Sequence, residues 1–486
     1  MMGPRQEAQS ALFYNFSIED HVPTDHVLRA IDGVIDLSSV RTHLTEFYSQ
    51  TGRPSVDPEL MMRMLLVGYI MGIRSERLLC EEVHLNLAYR WFCKMDLTDA
   101  VPDHSTFSKN RHGRFRDSDV LRHVFATVVA QCIDAGLASG QRYAADASII
   151  AADANHQKST PKADWNPEAI DPNEAPRAVR EYLETLDDAA FGAASPVTPK
   201  FISHSDPASQ WTGARGGPAY FAYSTNYLID TDNAVIMDVE PTRSIRQAEV
   251  GAVRTMIDRV KEKHDLMPER LIADTAYGSG PMLDWLVEKR GIAPHIPVID
   301  KSGHKNGTFE RADFTFDAEN DLYICPNGKE LKQFRRAYKM PRSGANKDET
   351  MRYRARKTDC NVCPMKTRCC PKEPQRKVTR SIYETSRDVA RVLAQTKQYS
   401  ISCKLRKKVE MSFAHLKRIH GLGRLRLRGP CGAHDEFILA ATAQNLKKLA
   451  KLAPQGDPIH KSSVRKLLTQ IQMQTTTEIT VSFSTE

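Results

Sequence analysis

An α+β fold in several domains is predicted for this chain of 486 residues, on three features of its sequence. Residues 12–137 show only helical periodicity. Residues 140–300 alternate short, β-prone apolar runs with amphipathic helical ones. Residues 301–400 break that alternation with a basic, cysteine-containing stretch, and a helical pattern resumes at 401. In the middle region strand-like runs fall at 141–150, 219–230 and 233–240, and a helix follows at about 246–263. Strands at 270–274 and 292–298 then flank a helix at 280–290. Three strands, a helix, a strand, a helix and a strand is the order of an RNase H-like α/β core, in which the first and fourth strands lie side by side.

The helical region, 12–137, is justified by its caps. Asp57 is an N-cap and Pro58 a first-turn residue for the apolar run Leu60 to Tyr69. Ser75 opens a second helix, and Asn86 to Cys93 forms an aromatic amphipathic one. Pro102 to Lys109, rich in hydroxyls, leads into Arg111, Arg114 and Arg116. Short helices ending in a basic one suit a helix-turn-helix-like DNA reader. They equally suit a bundle that only supports the rest of the chain.

In the core, 138–300, the interval 155–215 reads as a polar, proline-interrupted excursion with an acidic amphipathic helix near 176–188, mobile in part and without chemistry. Tyr277-Gly278 is expected to turn the chain after the strand at 270–274, glycine allowing a positive φ. Asp153 falls past the end of the first strand and is discounted as a decoy carboxylate. Trp285 is expected in the core rather than as a base-stacking ring. His204, His264, His295 and His420 form no acid–base or metal pair.

Residues 301–400 hold five of the ten cysteines: Cys325, Cys360, Cys363, Cys369 and Cys370. With no secretion signal, a metal is favoured over disulfides. Cys325, Cys360, Cys363 and Cys369 would complete a tetrahedral, structural Zn²⁺ site, with Cys370 able to replace Cys369 and free thiols as the alternative. The basic residues Arg335, Arg336, Lys339, Arg352, Arg354, Arg356 and Lys357, with Tyr338 and Tyr353 between them, suit a DNA backbone groove. Residues 401–453 return to the core, and 454–486 read as a flexible tail.

Net charge is only +8, but it is unevenly placed. Residues 328–380 carry 17 Lys/Arg against 5 Asp/Glu, and residues 401–453 carry 12 against 3. Two segments thus exceed the net charge of the whole, the footprint of a phosphate-backbone partner, although either run alone fits a solvated surface. No run approaches the length of a membrane span, no secretory layout opens the chain, and a cytoplasmic, nucleoid-associated location is expected. A Walker-type phosphate loop is absent, which disfavours ATP-driven chemistry.

Three acids carry the chemistry. Asp146 ends the run Tyr-Ala-Ala-Asp, Asp274 ends Arg-Leu-Ile-Ala-Asp, and Glu410 lies in a basic helix. A carboxylate at the end of an apolar strand is costly to bury unless a cation binds it. Arg406, Glu410 and Lys417, spaced four and seven, share one helix face. A lone Glu among cations is usually a solvated ion pair; the two strand-end acids turn the reading toward divalent metal. Two Mg²⁺ or Mn²⁺ ions about 3.5–4 Å apart suit in-line displacement at phosphorus. Asp146 would bridge them, with Asp274 and Glu410 completing one each. Arg406 and Lys417 would contact phosphate.

These pieces, Ala-Asp-Ala-Ser at 145–148, Ala-Asp-Thr-Ala-Tyr-Gly at 273–278 and Arg-x3-Glu-x6-Lys from Arg406 to Lys417, resemble the insertion-sequence DDE transposases of the IS4-like and IS5-like group. Gly-Leu-Gly-Arg-Leu-Arg-Leu-Arg-Gly at 421–429 and the helix of Asn445 are similar too, and the likeness spans roughly 12–453. Where that family carries a tyrosine ahead of the arginine, this chain carries Cys403, with Tyr399 nearby. The resemblance implies metal-dependent DNA cleavage and strand transfer, with terminal inverted repeats and target DNA as double-stranded partners and at least a dimer on DNA. It also tips the N-terminal helices toward DNA, with Thr106, Lys109 and Arg111 as contacts beside Arg424, Arg426 and Arg428. Two rivals remain: a catalytically dead DNA-binding derivative, and a nuclease of the same fold that cuts without joining.

Overall fold

The computed structural model describes residues 16–49, 51–52, 54–186, 199–213, 217–300, 307–333, 345–346 and 349–453. The N-terminal part is helical. Helix α1 (Pro58–Met71) starts where the Asp57 side chain accepts the Glu59 N–H at 3.1 Å, and it ends at Gly72 with φ +78°. Almost every α1 residue after its first turn is buried, Arg63 included. That guanidinium is satisfied by Asp32 at 2.7 Å, Glu59 at 3.1 Å and the Phe92 carbonyl at 3.0 Å. Helices α2 (Glu76–Leu85), α3 (His104–Arg111) and α4 (Val120–Asp134) follow.

The main sheet uses β1 (Arg142–Ala151), β2 (Tyr220–Asp230), β3 (Ile236–Arg243), β4 (Arg270–Ile272) and β5 (Ala293–His295). Helix α5 (Arg177–Glu184) lies between β1 and β2 in sequence, α6 (Arg246–His264) between β3 and β4, and α7 (Gly280–Asp284) between β4 and β5. The spatial order is β3-β2-β1-β4-β5, with a short strand Gln210–Thr212 on β2. β2 is antiparallel to β1, whereas β4 is parallel to β1 and β5 to β4. The first and fourth strands are therefore neighbours.

Three details depart from the sequence expectation. β4 stops at Ile272, so Asp274 stands two residues past the strand. Asp146 lies in mid-strand, not at its end. The helix expected at 280–290 changes at Trp285 into a π-turn, Trp285–Lys289, and the Trp285 ring is flanked by Arg254 and Arg290, 5.6 and 5.1 Å from its centroid.

A second, antiparallel sheet follows: β6 (Thr315–Asp317), β7 (Leu322–Ile324), β8 (Glu330–Gln333), β9 (Thr350–Arg354) and β10 (Lys377–Ser381), paired in chain order. It has its own small core around Phe314, Tyr323, Leu331, Tyr353 and Val378. Arg335, Arg336, Tyr338 and Lys339, expected in a basic groove, lie outside the described residues, as do 187 and 188 of the acidic helix and the expected tail 454–486.

Helices α8 (Glu384–Ala394), α9 (Lys397–Arg418) and α10 (Gly429–Leu452) return the chain to the main sheet. The central helix α10 is buried over most of its length and packs on α1, α4 and β3. Asn445 works there as a backbone substitute: its Oδ1 accepts the Ile236 N–H at 2.9 Å and its Nδ2 donates to the Ile236 carbonyl at 2.8 Å. One apolar cluster runs without a break from the N-terminal helices through the sheet to α10.

Candidate active site

The site is set by where β1 loses its neighbour. β4 pairs with β1 only from Arg142 to Ala144. The same edge is next engaged at Ala151, whose carbonyl accepts the Leu425 N–H at 2.7 Å in a parallel bridge with Arg424. Asp146 sits in the gap between them. Its Oδ1 accepts the Ala147 N–H at 2.8 Å. Burial, then repulsion from Asp274 and Glu410, pushes its carboxyl up to about 6, with Arg406 pulling the other way.

Asp274 is fixed by the turn it caps: Oδ1 accepts the Ala276 N–H at 2.8 Å, at the head of a 3₁₀ turn Thr275–Tyr277. Gly278 follows with φ −81°, so the expectation of a positive φ is wrong. The need for glycine is steric, because a Cβ there would lie 1.9 Å from the Pro297 carbonyl oxygen. Tyr277 is buried, and burial together with Asp146, Glu249 and Asp274 holds its phenol far above the ordinary range.

Glu410 comes from α9. The apolar face of α9, Val409, Phe413 and Leu416, is buried at i, i+4 and i+7, and Glu410 borders it. Phe413 stacks on Tyr227, centroids 4.8 Å apart, and Tyr227 is the cross-strand partner of Asp146. Lys408 Nζ donates to the carbonyls of Thr231 and Asp232 at 2.6 and 2.7 Å, and His295 Nδ1 contacts Ser402 Oγ at 2.7 Å. These contacts seat α9, which carries Glu410, against the main sheet. Arg406 Nη2 is 3.5 Å from Glu410 Oε1 in an exposed pair, and exposed Lys417 continues the same outward face.

Sequence reasoning missed a fourth acid. Glu249, in the first turn of α6, accepts the Ser224 hydroxyl at 2.7 Å, and Ser224 also contacts Ser244 at 3.1 Å. Burial raises its carboxyl, and Asp274 adds to that rise against Arg246. In sequence it is an ordinary acidic residue at a helix start; the only signal was its position just after the third strand. Asp153, set aside as a decoy carboxylate, has ion-pair partners the sequence did not show. Its carboxylate holds Arg424 at 3.0 Å and Arg428 at 2.9 Å, setting the spacing of two exposed arginines beside β1. Arg426 is exposed between them on the same segment.

In α3, Lys109 is exposed and Thr106 half-buried, but Arg111 is buried and does not fit a DNA contact. It pairs with Glu76 at 2.9 Å and Asp435 at 3.8 Å, tying α2 and α3 to α10. Its charge is spent inside the protein. Arg116 likewise reaches Glu181 at 3.3 Å, and Arg114 lies over the Tyr48 ring. Tyr399 is one turn before Cys403, and Cys403 raises its phenol after burial does.

Asp146 feels the charge of both Asp274 and Glu410. Among the described residues, however, no three His, Cys, Asp or Glu side chains are arranged as a finished metal site. Clustered acids opposed by one half-exposed arginine are the donor chemistry that a hard divalent cation fits. Cys325, Cys360, Cys363, Cys369 and Cys370 all border one cavity beside the second sheet. No described helix is long and apolar enough to cross a membrane.

Residues 16–113 match the family described as "Transposase domain (DUF772)", and residues 324–450 match that described as "Transposase DDE domain". The second match contains Glu410. No curated protein matches the sequence. Among solved structures, a cryo-EM structure of a piggyBac transposase synaptic complex with hairpin DNA aligns over 89% of this chain and 77% of its own, at 9% identity and a TM-score of 0.31. That similarity is too loose to bear on mechanism.

Proposed function

We propose that this chain, whose two matched domains support an insertion-sequence DDE transposase, cuts DNA at its element's terminal inverted repeats and joins the freed ends to target DNA. The observation that carries the reading is the gap in the β1 edge. There burial and the charges of Asp274 and Glu410, acids from two other elements, raise the Asp146 carboxyl, with Arg406 as the opposing cation. The strand order β3-β2-β1-β4-β5 supports an RNase H-like core as the frame.

Asp146, Asp274 and Glu410 would hold divalent ions, Mg²⁺ or Mn²⁺. When bound, such ions activate an attacking oxygen and stabilise the leaving one. The chain's own residues do the rest. The Ala276 N–H holds Asp274 at one carboxylate oxygen, leaving the other for a ligand. The Phe413–Tyr227 stack anchors the helix that carries Glu410 on the cross-strand partner of Asp146. Arg406 and Lys417 bind phosphate on the outer face of α9. Arg424 and Arg428, spaced by Asp153, and Arg426 between them align the DNA backbone along the line of β1. Water is the nucleophile for the cut, and the freed 3′-hydroxyl is the nucleophile for joining. Two ends joined to one target require at least two protomers on DNA.

The test is cleavage of labelled DNA bearing the terminal repeat, with Mg²⁺, by wild type and Glu410→Gln. Cleavage and strand-joined products in wild type, lost in the variant with DNA binding retained, support the reading. Equal cleavage in both removes Glu410, and cutting with no joined product reduces the activity to that of a nuclease.

A further inference from the structure

The second sheet cannot be held by its apolar core alone. That core has nine buried residues, and three of them are cysteines. So small a core needs a staple. The five cysteines converge from three places in the sequence onto one cavity of about 20 Å³. Cys325 is presented by a tight turn: the Gly328 N–H donates to the Cys325 carbonyl at 2.8 Å, Gly328 takes φ +71°, and the Lys329 N–H donates to Cys325 Sγ at 3.3 Å. Cys360 lies in the short helix Lys357–Asn361 and Cys363 two residues past its end, and Asn327 Nδ2 reaches Cys363 Sγ at 3.6 Å, bringing the Cys325 turn and this segment together. Cys370 lies within hydrogen-bond reach of Cys360 as well as of Cys369.

We propose that Cys325, Cys360, Cys363 and Cys370 bind one structural Zn²⁺, and that Cys369 is not a ligand. The sequence alone favours Cys369; the contact between Cys370 and Cys360 reverses that choice. Binding replaces four S–H bonds by four Zn–S bonds and releases four protons to solvent, with no redox change. The resulting site carries two negative charges, and Lys329, Lys366 and Arg376 line the same cavity to offset them. Arg376 Nη1 also donates to the Cys369 carbonyl at 2.8 Å and its Nη2 to the Phe309 carbonyl at 2.6 Å, bracing the loop that carries Cys370. A filled site would fix the turn before β8 against the two helical turns before β10, so that Arg352, Arg354 and Arg380 are held in one sheet. This proposal stands apart from the carboxylate site, and its test does not use DNA.

The full chain, purified under reducing conditions without added metal, should contain one zinc per chain by elemental analysis. Cobalt exchanged for it should give the charge-transfer and tetrahedral bands of a tetrathiolate. Cys370→Ser should lose the zinc or change the cobalt bands, and Cys369→Ser should keep both. Reverse behaviour of the two variants overturns the ligand assignment. Absence of zinc, with five titratable thiols or with disulfides in this region, overturns the site. If Cys370→Ser fails to fold, the cobalt spectrum of Cys369→Ser decides: an unaltered tetrathiolate spectrum upholds Cys370, and a lost thiolate band overturns it.

Discussion

Asp146→Asn should stabilise the metal-free protein while ending its activity. The asparagine keeps the bond from the Ala147 N–H and removes the charge that burial, Asp274 and Glu410 oppose. Raising this carboxyl from its ordinary 3.8 to about 6 costs the folded state about 3 kcal/mol at pH 8, and partial exposure trims that to about 2–3 kcal/mol. The folded pKa is the higher one, so folding takes up a proton. The associated stability is complete below 3.8 and is lost as pH rises through about 6. The gain from the substitution should therefore be largest at pH 8, about half as large at pH 5, and vanish below the ordinary carboxylate range. Thermal unfolding in chelator at pH 8 and pH 5 reads it directly. The variant should melt several degrees higher at pH 8, the difference should shrink at pH 5, and Mg²⁺ should raise wild type alone. A variant that melts at or below wild type at pH 8 would refute the claim that this acid is held under charge repulsion.

Other outcomes follow from the same contacts. Glu249→Gln should raise the Mg²⁺ needed for half-maximal cleavage about 10–100-fold with DNA affinity unchanged; an unaltered metal titration would make Glu249 merely structural. Gly278→Ala puts a Cβ against the Pro297 backbone and should cost about 1–3 kcal/mol or more, seen as a lower urea midpoint. Asn445→Ala strands the Ile236 N–H and carbonyl and should cost about 2–4 kcal/mol in the same assay, and a wild-type midpoint would contradict the role given to that side chain. Replacing Arg424 and Arg428 by alanine should flatten the salt dependence of log K for DNA by about 2, with stability changed by less than about 1 kcal/mol, since their pairs with Asp153 are exposed.

Periodicity made the long elements legible. β1, β2 and α6 fall within a residue or two of the runs that predict them, because each has an uninterrupted apolar pattern, whereas α9 begins at Lys397, four residues before the expected start. The three acids were legible because charge at such places in apolar runs needs a reason. What local reading missed depends on partners distant in sequence. Arg111 looks like a DNA contact until Asp435 of α10 closes over it. Asp153 looks idle until Arg424 and Arg428 arrive beside β1. Glu249 carries no mark of its own, since an acid in a first helical turn is what helix electrostatics favour anyway. At Gly278 the sequence signals a special backbone position, but only the crossing of Pro297 shows that space, not φ, is the constraint.

The central claim is that Asp146, Asp274 and Glu410 share bound divalent metal. Loading the full chain with Fe²⁺ and generating hydroxyl radicals at the bound ion cuts the polypeptide beside its ligands, and mass spectrometry locates the cuts. Cuts are expected near 146, 274 and 410 together, suppressed by excess Mg²⁺ and lost in Asp146→Asn. Cuts confined to other segments, or a pattern unchanged in Asp146→Asn, would contradict it.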